Sequence, residues 1–264
     1  MTPSVDSIKD IVMRASSLMM TKDFAIEQKG DCTNIVTSSD IAVQRFLCNE
    51  LRALLPGCGF ICEEDEMHDP DKDYVWVIDP IDGTANYARG IDHCAISVAL
   101  CHGGAPVIGV IYSPQRKEMY WSEKGKGAWC NGKPIHVSAR PFENSLFCTA
   151  MSTYRKEFAG VCNDVIMEAY YQCNDVRRFG AASIELCFMA AGIIELYFEI
   201  RLQPWDYAAG MLILEEAGGK ISSLGGAPLS LTHPDLVCAA NSPENHRHLL
   251  SIIEKHIPSI PYED

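Results

Sequence analysis

The chain has 264 residues, of which 47% are hydrophobic, and its formal net charge is -13. That length and hydrophobic content predict one large domain or two closely packed domains, and they exclude a disordered chain. The acidic charge argues against binding to nucleic acid or to an acidic membrane surface. An anionic substrate would therefore need cations that screen its approach.

The cysteines and the apolar runs predict a reducing, soluble environment. The 12 cysteines are scattered through apolar segments without a C-x-x-C pair, which favours reduced, buried thiols over metal or redox sites. The N-terminus shows no secretory signal, and the longest apolar run, residues 186–198, is interrupted by Glu195 and is too short to span a bilayer. We therefore expect a cytoplasmic protein without a membrane partner.

Two helices and two short extended segments are predicted in the N-terminal part of the chain. Apolar residues at helical spacing predict a helix over residues 5–20 and a second one over residues 38–55, before Pro56. Extended segments are predicted near residues 24–26 and 34–37. Asp40 lies in the first turn of the second helix, either as a plain helix-terminal acid or as a functional residue.

Two predicted strands end in acidic residues. Residues 59–62 lead into the acidic run 63–66, and residues 74–78 lead into Asp79-Pro80-Ile81-Asp82-Gly83-Thr84. Pro80 restricts the turn, and Gly83-Thr84 would begin a helical turn with exposed N–H groups. Carboxylates beside such a backbone would suit a magnesium ion and a phosphate together. The alternative is an ordinary solvated acidic loop or Asx-type turn.

The middle of the chain predicts an antiparallel meander, with strands at residues 94–101, 105–112 and 118–121 and a hairpin at Asn131-Gly132. The pattern changes near residues 139–141, which predicts a boundary between domains of residues 1–140 and 141–264.

The second half predicts alternating strands and helices, and so an α/β unit. Strands are expected at 146–150, 175–177, 193–198 and 237–239, and helices end near 171, 191, 217 and 256. Asp206, at the start of the third of these helices, by itself reads as a helix cap.

Three groups of residues together resemble the inositol monophosphatase family. They are Glu63-Glu64, the string at 79–84, and Trp205-Asp206-Tyr207-Ala208-Ala209-Gly210, which follows that string by about 125 residues. The resemblance also covers residues 36–40 and 125–132 and thus nearly the whole chain. It implies an α+β or α/β fold, a layered αβαβα sandwich, and a lithium-sensitive phosphomonoesterase that is a homodimer and uses two or three Mg²⁺ ions.

The resemblance further implies a set of metal ligands. Glu63, Asp79 and the Ile81 carbonyl would hold one Mg²⁺, while Asp79, Asp82 and Asp206 would hold a second. Charge supports this assignment independently, since four carboxylates in a partly desolvated cleft repel one another until cations cancel their charge. One ion would lower the pKa of a bound water, and the other would stabilise the leaving alkoxide.

The remaining roles implied by the resemblance concern water and substrate. Asp40 and Thr84, helped by Glu63, would orient and deprotonate the attacking water. The N–H groups of Gly83 and Thr84 would bind phosphate oxygens. The positions implied to contact the alcohol part of the substrate are Gly180, Ala181, Ala182 and Glu199.

Several substrates remain open from the sequence. Residues 83–87 resemble the inositol phosphate branch, whereas residues 200–204 do not match inositol-specific enzymes. Arg201 in that segment would either pair with a surface acid or contact a second anionic group on the substrate. We therefore expect hydrolysis of inositol monophosphate or a related polyol or sugar phosphate. The alternatives are a fructose-1,6-bisphosphatase, a histidinol-phosphatase, a 3′(2′),5′-bisphosphate nucleotidase, and a catalytically silent metal-binding protein.

Overall fold

The structure is a computed structural model that describes residues 2–20, 25–28, 35–64, 69–153 and 155–262. The helices in these ranges are α1 (Val5–Met19), α2 (Ser38–Leu54), α3 (Thr84–Ala88), α4 (Ala159–Tyr170), α5 (Ala182–Ala190), α6 (Pro204–Glu216) and α7 (Pro243–His256). The strands are β1 (Ile26–Gln28), β2 (Ile35–Thr37), β3 (Gly59–Cys62), β4 (Tyr74–Asp82), β5 (Ala95–His102), β6 (Ala105–Ser113), β7 (Glu118–Glu123), β8 (Ala128–Cys130), β9 (Lys133–Ile135), β10 (Leu146–Thr149), β11 (Asp175–Arg177), β12 (Leu196–Leu202), β13 (Lys220–Ser222) and β14 (Asp235–Ala240).

The larger sheet contains seven strands in the order β3-β4-β5-β6-β7-β8-β9. Strands β3 and β4 pair in parallel, and every later pair is antiparallel, so the predicted meander is confirmed. Asn131 and Gly132 both have positive φ angles, 49° and 76°, in the turn between β8 and β9. Positive φ at both central residues matches the two-residue type I′ turn that the Asn-Gly pair favours.

The smaller sheet has the order β11-β10-β12-β14-β13 and is mixed. Strands β11, β10 and β12 are parallel to one another, which agrees with the predicted α/β unit. Strand β14 pairs antiparallel with both of its neighbours, β12 and β13. Strand β12 begins at Leu196 rather than at residue 193. The reason is that Gly192, with φ of 71°, and Ile193 close the end of α5 by donating to the carbonyls of Met189 and Phe188.

The elements stack as five layers, which confirms the αβαβα sandwich. Helices α1 and α2 pack on one face of the larger sheet, α5 and α6 lie between the two sheets, and α4 and α7 cover the outer face of the smaller sheet. The middle layer is tight, because a Cβ atom added to Gly109 would lie 2.7 Å from the Ala209 carbonyl oxygen. The close contact between β6 and α6 therefore requires a glycine at position 109.

Strand β4 is longer than the sequence predicts, and both aspartates of the acidic string lie at its C-terminal end. Asp79 pairs with Ser97 and Asp82 with Ala95, and the register shifts between these two pairs. Pro80 lies inside the irregular stretch, where its missing N–H costs no ladder hydrogen bond. Both aspartates are thus held by β5 rather than by a free loop.

A few expectations lie outside what the structure describes or tests. Phe24, the turn at residues 29–31, and Asp65 and Glu66 of the acidic run are not among the described residues. The boundary near residues 139–141, in the connection from β9 to β10, stays a prediction. Across the described part of the chain, helices with the length and apolarity needed to cross a bilayer are absent.

Candidate active site

Three aspartates from distant parts of the chain converge at one point. Asp79, Asp82 and Asp206 each offer a carboxylate oxygen, and these oxygens lie within 4.8 Å of one another. Asp79 and Asp82 come from the end of β4 and are buried, and Asp206 comes from the first turn of α6. The structure therefore brings together the two aspartates of the acidic string and the aspartate that the sequence predicted to join them.

Local hydrogen bonds orient two of these carboxylates. Oδ2 of Asp206 accepts from the backbone N–H of Gln203 at 2.7 Å, in a capping box at the start of α6. Asp206 is thus a helix cap, as it reads by itself, and also a member of the acidic cluster. Oδ1 of Asp79 accepts from the backbone N–H of Ile81 at 3.0 Å, so the irregular end of β4 holds its own acid in place.

Ser183 holds the third carboxylate and was missed by the sequence analysis. Its backbone N–H and its hydroxyl both donate to Oδ2 of Asp82, at 2.7 and 2.5 Å. Ser183 is fully buried near the start of α5, so this connection joins the larger sheet to the middle helix layer. A serine in an apolar helix start is a weak sequence signal, and only the packing of α5 against β4 reveals the contact.

The acidic cluster is electrostatically unfavourable without a cation. Burial, followed by repulsion from Glu63, Asp82 and Asp206, raises the pKa of Asp79 well above its ordinary value. Burial and the charge of Asp82 likewise raise the pKa of Asp206 well above that range. Burial raises the pKa of Asp82 to about 6, against the hydrogen bonds from Ser183, which lower it. Crowded hard oxygen donors of this kind fit a divalent metal ion.

Glu63 lies beside this cluster as a fourth acid. It directly follows β3, the parallel neighbour of β4, and its carboxylate interacts with Asp79. Adjacent strand ends therefore place the acids of the two segments within reach of one another, as the sequence predicted. Glu63 is outside the set of three that lie within 4.8 Å.

Asp40 and Thr84 meet next to the acidic string. The Thr84 hydroxyl lies 3.2 Å from Oδ1 of Asp40 and 3.0 Å from the Ile81 carbonyl oxygen. Asp40 also forms a capping box with Thr37 at the start of α2, and burial raises its pKa while these hydrogen bonds oppose the rise. Asp40 is therefore both a helix-terminal acid and a partner of Thr84.

Gly83 brings the predicted substrate segment against the acidic string. Its φ angle is 84°, and an added Cβ would lie 2.9 Å from the His93 carbonyl oxygen and 3.0 Å from Cβ of Ala181. Only glycine combines that backbone angle with this close approach. Gly180, Ala181 and the beginning of α5 at Ala182 consequently lie beside Gly83, where the resemblance placed the alcohol part of a substrate.

Two further residues that the sequence analysis missed fasten this segment. The Asn86 side-chain amide donates to the carbonyls of His93 and Phe179, both at 2.8 Å. Oε1 of Glu185 accepts from the backbone N–H groups of Gly180 at 2.7 Å and Ala181 at 3.3 Å. Glu185 is buried within an apolar helix, and an acid in such a run is a signal that could have identified it.

Glu199 and Arg201 lie near the end of β12. Burial, followed by repulsion from Glu185, raises the pKa of Glu199 to about 8, and the Tyr197 hydroxyl donates to Glu199 at 2.8 Å. Arg201 is half-buried, and it has no ion pair with an acid of the described residues. The option that Arg201 pairs with a surface acid is therefore wrong for the described part of the chain.

The thiols near the site are packing residues. Cys62 and Cys94 are buried, and burial raises the pKa of Cys94 to about 12. A thiol with such a pKa stays protonated at neutral pH and is a poor nucleophile.

Comparison with known proteins assigns the chain and its fold to one family. A sequence profile of the inositol monophosphatase family matches residues 4–258. The protein named Nus factor SuhB from Escherichia coli K12 is 36% identical over 201 residues, 75% of each chain. An inositol-1-monophosphatase from Caulobacter vibrioides is 34% identical over 223 residues, covering 83% of this chain and 87% of that protein.

Solved structures give the same result. The extragenic suppressor protein suhB from Bartonella henselae superposes with a TM-score of 0.87 at 29% identity, over 96% of this chain and 98% of that one. SaIMPase-II with inositol monophosphate bound superposes with a TM-score of 0.80 at 27% identity, over 95% and 93% of the two chains. A layered αβαβα protein with a carboxylate cluster between its sheets is the class that fold and site define. The chain belongs to the inositol monophosphatase family.

Proposed function

We propose that the protein is a Mg²⁺-dependent phosphomonoesterase that hydrolyses a small phosphorylated polyol or sugar, with inositol monophosphate as the first candidate. The observation that carries the proposal is the convergence of Asp79, Asp82 and Asp206 within 4.8 Å beside the Asp40–Thr84 pair. Family membership supports it, and so does the relative that is solved with inositol monophosphate bound.

The chain's own oxygen ligands would hold the metal ions. Glu63, Asp79 and the Ile81 carbonyl form one set, and Asp79, Asp82 and Asp206 form the other, with Asp79 common to both. Bound Mg²⁺ supplies an acidified water and stabilisation of the developing charge on the leaving group. Asp79 and Asp82 are buried and hydrogen-bonded, so their carboxylates have little freedom to reorient and would hold the ions without rearrangement.

Asp40, Thr84 and Glu63 would handle the attacking water. The Thr84 hydroxyl can donate to Oδ1 of Asp40 and accept from the water, so the water proton moves toward the Asp40 carboxylate. Burial already raises the pKa of Asp40, which makes it a stronger proton acceptor than an exposed aspartate. The N–H groups of Gly83 and Thr84 would bind the phosphate oxygens.

Gly180, Ala182 and Glu199 would contact the alcohol part of the substrate. The segment at residues 180–182 is fastened by Glu185 and Asn86 and therefore presents a rigid surface. Glu199, with a pKa of about 8, carries a proton at neutral pH and can donate a hydrogen bond to a substrate hydroxyl. We also infer a cytoplasmic homodimer, from the cysteine content and the family resemblance respectively.

A non-enzymatic function is the second candidate, because several relatives carry the name Nus factor SuhB rather than an enzyme name. A protein of this kind would keep the fold while its activity was secondary or absent. The full set of acids, together with Thr84 and Asp40, favours the enzyme.

A phosphate-release assay with a substrate panel tests the proposal. The panel contains inositol 1-phosphate, fructose 1,6-bisphosphate, histidinol phosphate and a 3′,5′-bisphosphate nucleotide, each assayed across a Mg²⁺ titration. We expect Mg²⁺-dependent release from at least one sugar or polyol phosphate and none after chelation. Folded protein that releases phosphate from no member of the panel would favour the non-enzymatic candidate.

Lithium gives a second test of the same proposal. We expect millimolar Li⁺ to inhibit phosphate release in the presence of Mg²⁺, because family resemblance implies lithium sensitivity, and NaCl at the same ionic strength is the control. Complete indifference to Li⁺ would contradict this assignment.

A further inference from the structure

We propose that Arg201 forms a subsite for a second anionic group of the substrate, a second phosphate or a carboxylate, at the rim of the carboxylate cluster. This inference rests on the proposed function and narrows its substrate class. Arg201 would be a specificity-determining residue that strengthens the binding of substrates with a second anionic group, whereas plain monoesters such as inositol monophosphate would bind without its help.

Arg201 lies near the C-terminal end of β12 in the smaller sheet. Strands β10, β11 and β12 are parallel, so their carboxyl ends meet at one edge of the sheet. Arg201 lies at that edge, two residues after Glu199 and five before Asp206. Ligands of sheets with parallel strands bind outside the carboxyl ends of the strands. Arg201 is therefore on the edge where substrate is expected.

Strand β12 is distorted around Arg201. The register between β12 and β14 shifts between Glu199 and Leu202, so Arg201 lies within an irregular stretch. Irregularities of this kind re-aim a side chain and are common next to active sites. Leu196, Phe198 and Ile200 belong to the outer core under α4 and α7, whereas Leu202 belongs to the core between the sheets. The regular alternation of the two faces of β12 is therefore interrupted at Arg201.

Arg201 has no acidic partner among the described residues. Two other arginines of this edge pair with a nearby acid in sequence, Arg155 with Glu157 and Arg177 with Asp175. Arg201 makes no such pair with any described residue, and its Nε atom is buried without a hydrogen-bond partner. A partly buried guanidinium without an anion is unfavourable, and a ligand anion would compensate it.

An aromatic ring holds the guanidinium in place of an acid. The Arg201 Cζ atom lies over the ring of Tyr262, 5.4 Å from its centroid, and the Tyr262 hydroxyl donates to the Ile200 carbonyl at 2.6 Å. Stacking of this kind restrains the planar group and leaves its N–H fork available. A guanidinium fork binds phosphate and carboxylate through two parallel hydrogen bonds.

The charge of Arg201 is linked electrostatically to the carboxylate cluster. The charge of Arg201 acts on Asp206, where it opposes the rise in pKa caused by burial. The charge of Arg178 acts in the same way on Glu199. Two guanidinium groups therefore influence the region around Glu199 and Asp206, in a protein with a net charge of -13. We infer that a second anionic group, on a monoester held at the carboxylate cluster, would bind these guanidinium groups.

A matched pair of substrates tests the proposal. Fructose 1-phosphate and fructose 1,6-bisphosphate differ only in the second phosphate, so the ratio of their kcat/KM values measures what that group contributes. We expect wild-type protein to favour the bisphosphate, and Arg201→Gln to lower the ratio by about 10- to 100-fold, as for loss of a charged hydrogen-bonding pair. Arg201→Lys, which keeps the charge and loses the fork, should give an intermediate ratio.

Arg247→Gln is the matched control, because Arg247 is an exposed arginine on α7, and it should leave the ratio unchanged. If Arg201→Gln leaves the ratio of the two kcat/KM values unchanged, the proposal is overturned. An equal loss for both substrates would then assign Arg201 to the support of Asp206.

Failure of the proposed function gives a different result, namely that wild-type protein hydrolyses neither substrate. The affinities of the same two compounds are therefore also measured by calorimetric titration, with Ca²⁺ in place of Mg²⁺ to prevent turnover. A ratio of dissociation constants that depends on Arg201 would support the subsite without hydrolysis, and a ratio that does not depend on it would refute the subsite.

Discussion

Two groups of buried acids lie a short way apart in this protein and are satisfied in different ways. Asp79, Asp82 and Asp206 crowd within 4.8 Å of one another, and repulsion adds to burial in raising the pKa of Asp79 and of Asp206. Glu185 and Glu199 are also withdrawn from water and accept hydrogen bonds at 2.7 to 2.8 Å, but they do not belong to the crowded set. The crowded group therefore fits a cation, whereas Glu185 and Glu199 are held by groups of the protein.

The difference separates two uses of a buried carboxyl group. Acids that repel one another and keep free oxygens store electrostatic cost that a divalent ion relieves. Acids that accept hydrogen bonds from the backbone fasten a segment, as Glu185 fastens residues 180–181. Burial, a raised pKa and accepted hydrogen bonds are common to both groups, so the crowding of carboxylate oxygens within 4.8 Å, and not the pKa alone, indicates which acids suit a metal ion.

The largest effect that would break this comparison is expected from Asp82→Asn. This change removes one charge from the crowded group while Asn can still accept from Ser183. We expect kcat to fall by at least about 100-fold, because a divalent ion held by Asp79, Asp82 and Asp206 would lose an anionic ligand. The measurement is Mg²⁺-dependent phosphate release by protein whose fold is checked by circular dichroism.

The control for that variant is Asp164→Asn, which changes an exposed aspartate on α4 and should leave kcat unaltered. Removal of one repelling charge should also leave the metal-free Asp82→Asn protein at least as stable as wild type. Unchanged turnover in Asp82→Asn would count against the metal role of the crowded group.

A moderate effect is expected from Ser183→Ala, which sharpens the comparison by removing one donor from Asp82. The backbone N–H of Ser183 remains, but Oδ2 of Asp82 loses its 2.5 Å hydrogen bond and the carboxylate gains freedom to rotate. Partners behind a metal ligand typically contribute 10- to 100-fold, so we expect about a tenfold weaker Mg²⁺ affinity, measured by calorimetric titration of metal-free protein.

Ser122→Ala is the matched control, because Ser122 is also buried and donates to a carbonyl, that of Gly127, but lies on β7. Equal Mg²⁺ affinities in wild type and Ser183→Ala would show that Asp82 needs no support from that hydroxyl.

The smallest effect concerns Glu199, in the second group of acids. Its pKa is raised to about 8 in the folded protein, so the folded state binds the proton more tightly than the unfolded chain does. The resulting stabilisation is complete below the ordinary glutamate pKa and is lost as pH rises toward 8. Glu199→Gln cannot ionise and should lack this loss.

Urea unfolding of metal-free protein at about pH 5.5 and about pH 8.5 checks this expectation. Relative to wild type, Glu199→Gln should be more stable at the higher pH than at the lower one, by on the order of 1 kcal/mol. The same difference at both pH values would mean that Glu199 ionises in the folded state as it does in the unfolded chain.

Most helices and strands, and the residue types of the candidate site, could be predicted from the sequence. Apolar periodicity predicted α1, α2 and the meander, because spacing of apolar residues reports directly which face is buried. The acidic string after a buried strand, and the family resemblance, predicted that Asp79, Asp82 and Asp206 act together.

The groups that support those residues could not be predicted from the sequence and became known from the packing of the folded chain. Ser183, Glu185 and Asn86 act through hydrogen bonds that cross between layers, and such contacts depend on the packing of α3 and α5 against their neighbours rather than on local spacing. The same holds for Arg201, whose sequence allowed either a surface ion pair or a ligand contact. Among the described residues the Arg201 guanidinium has no ion pair with an acid, and only the positions of these residues in space reveal this, because charge pairing depends on distances in space.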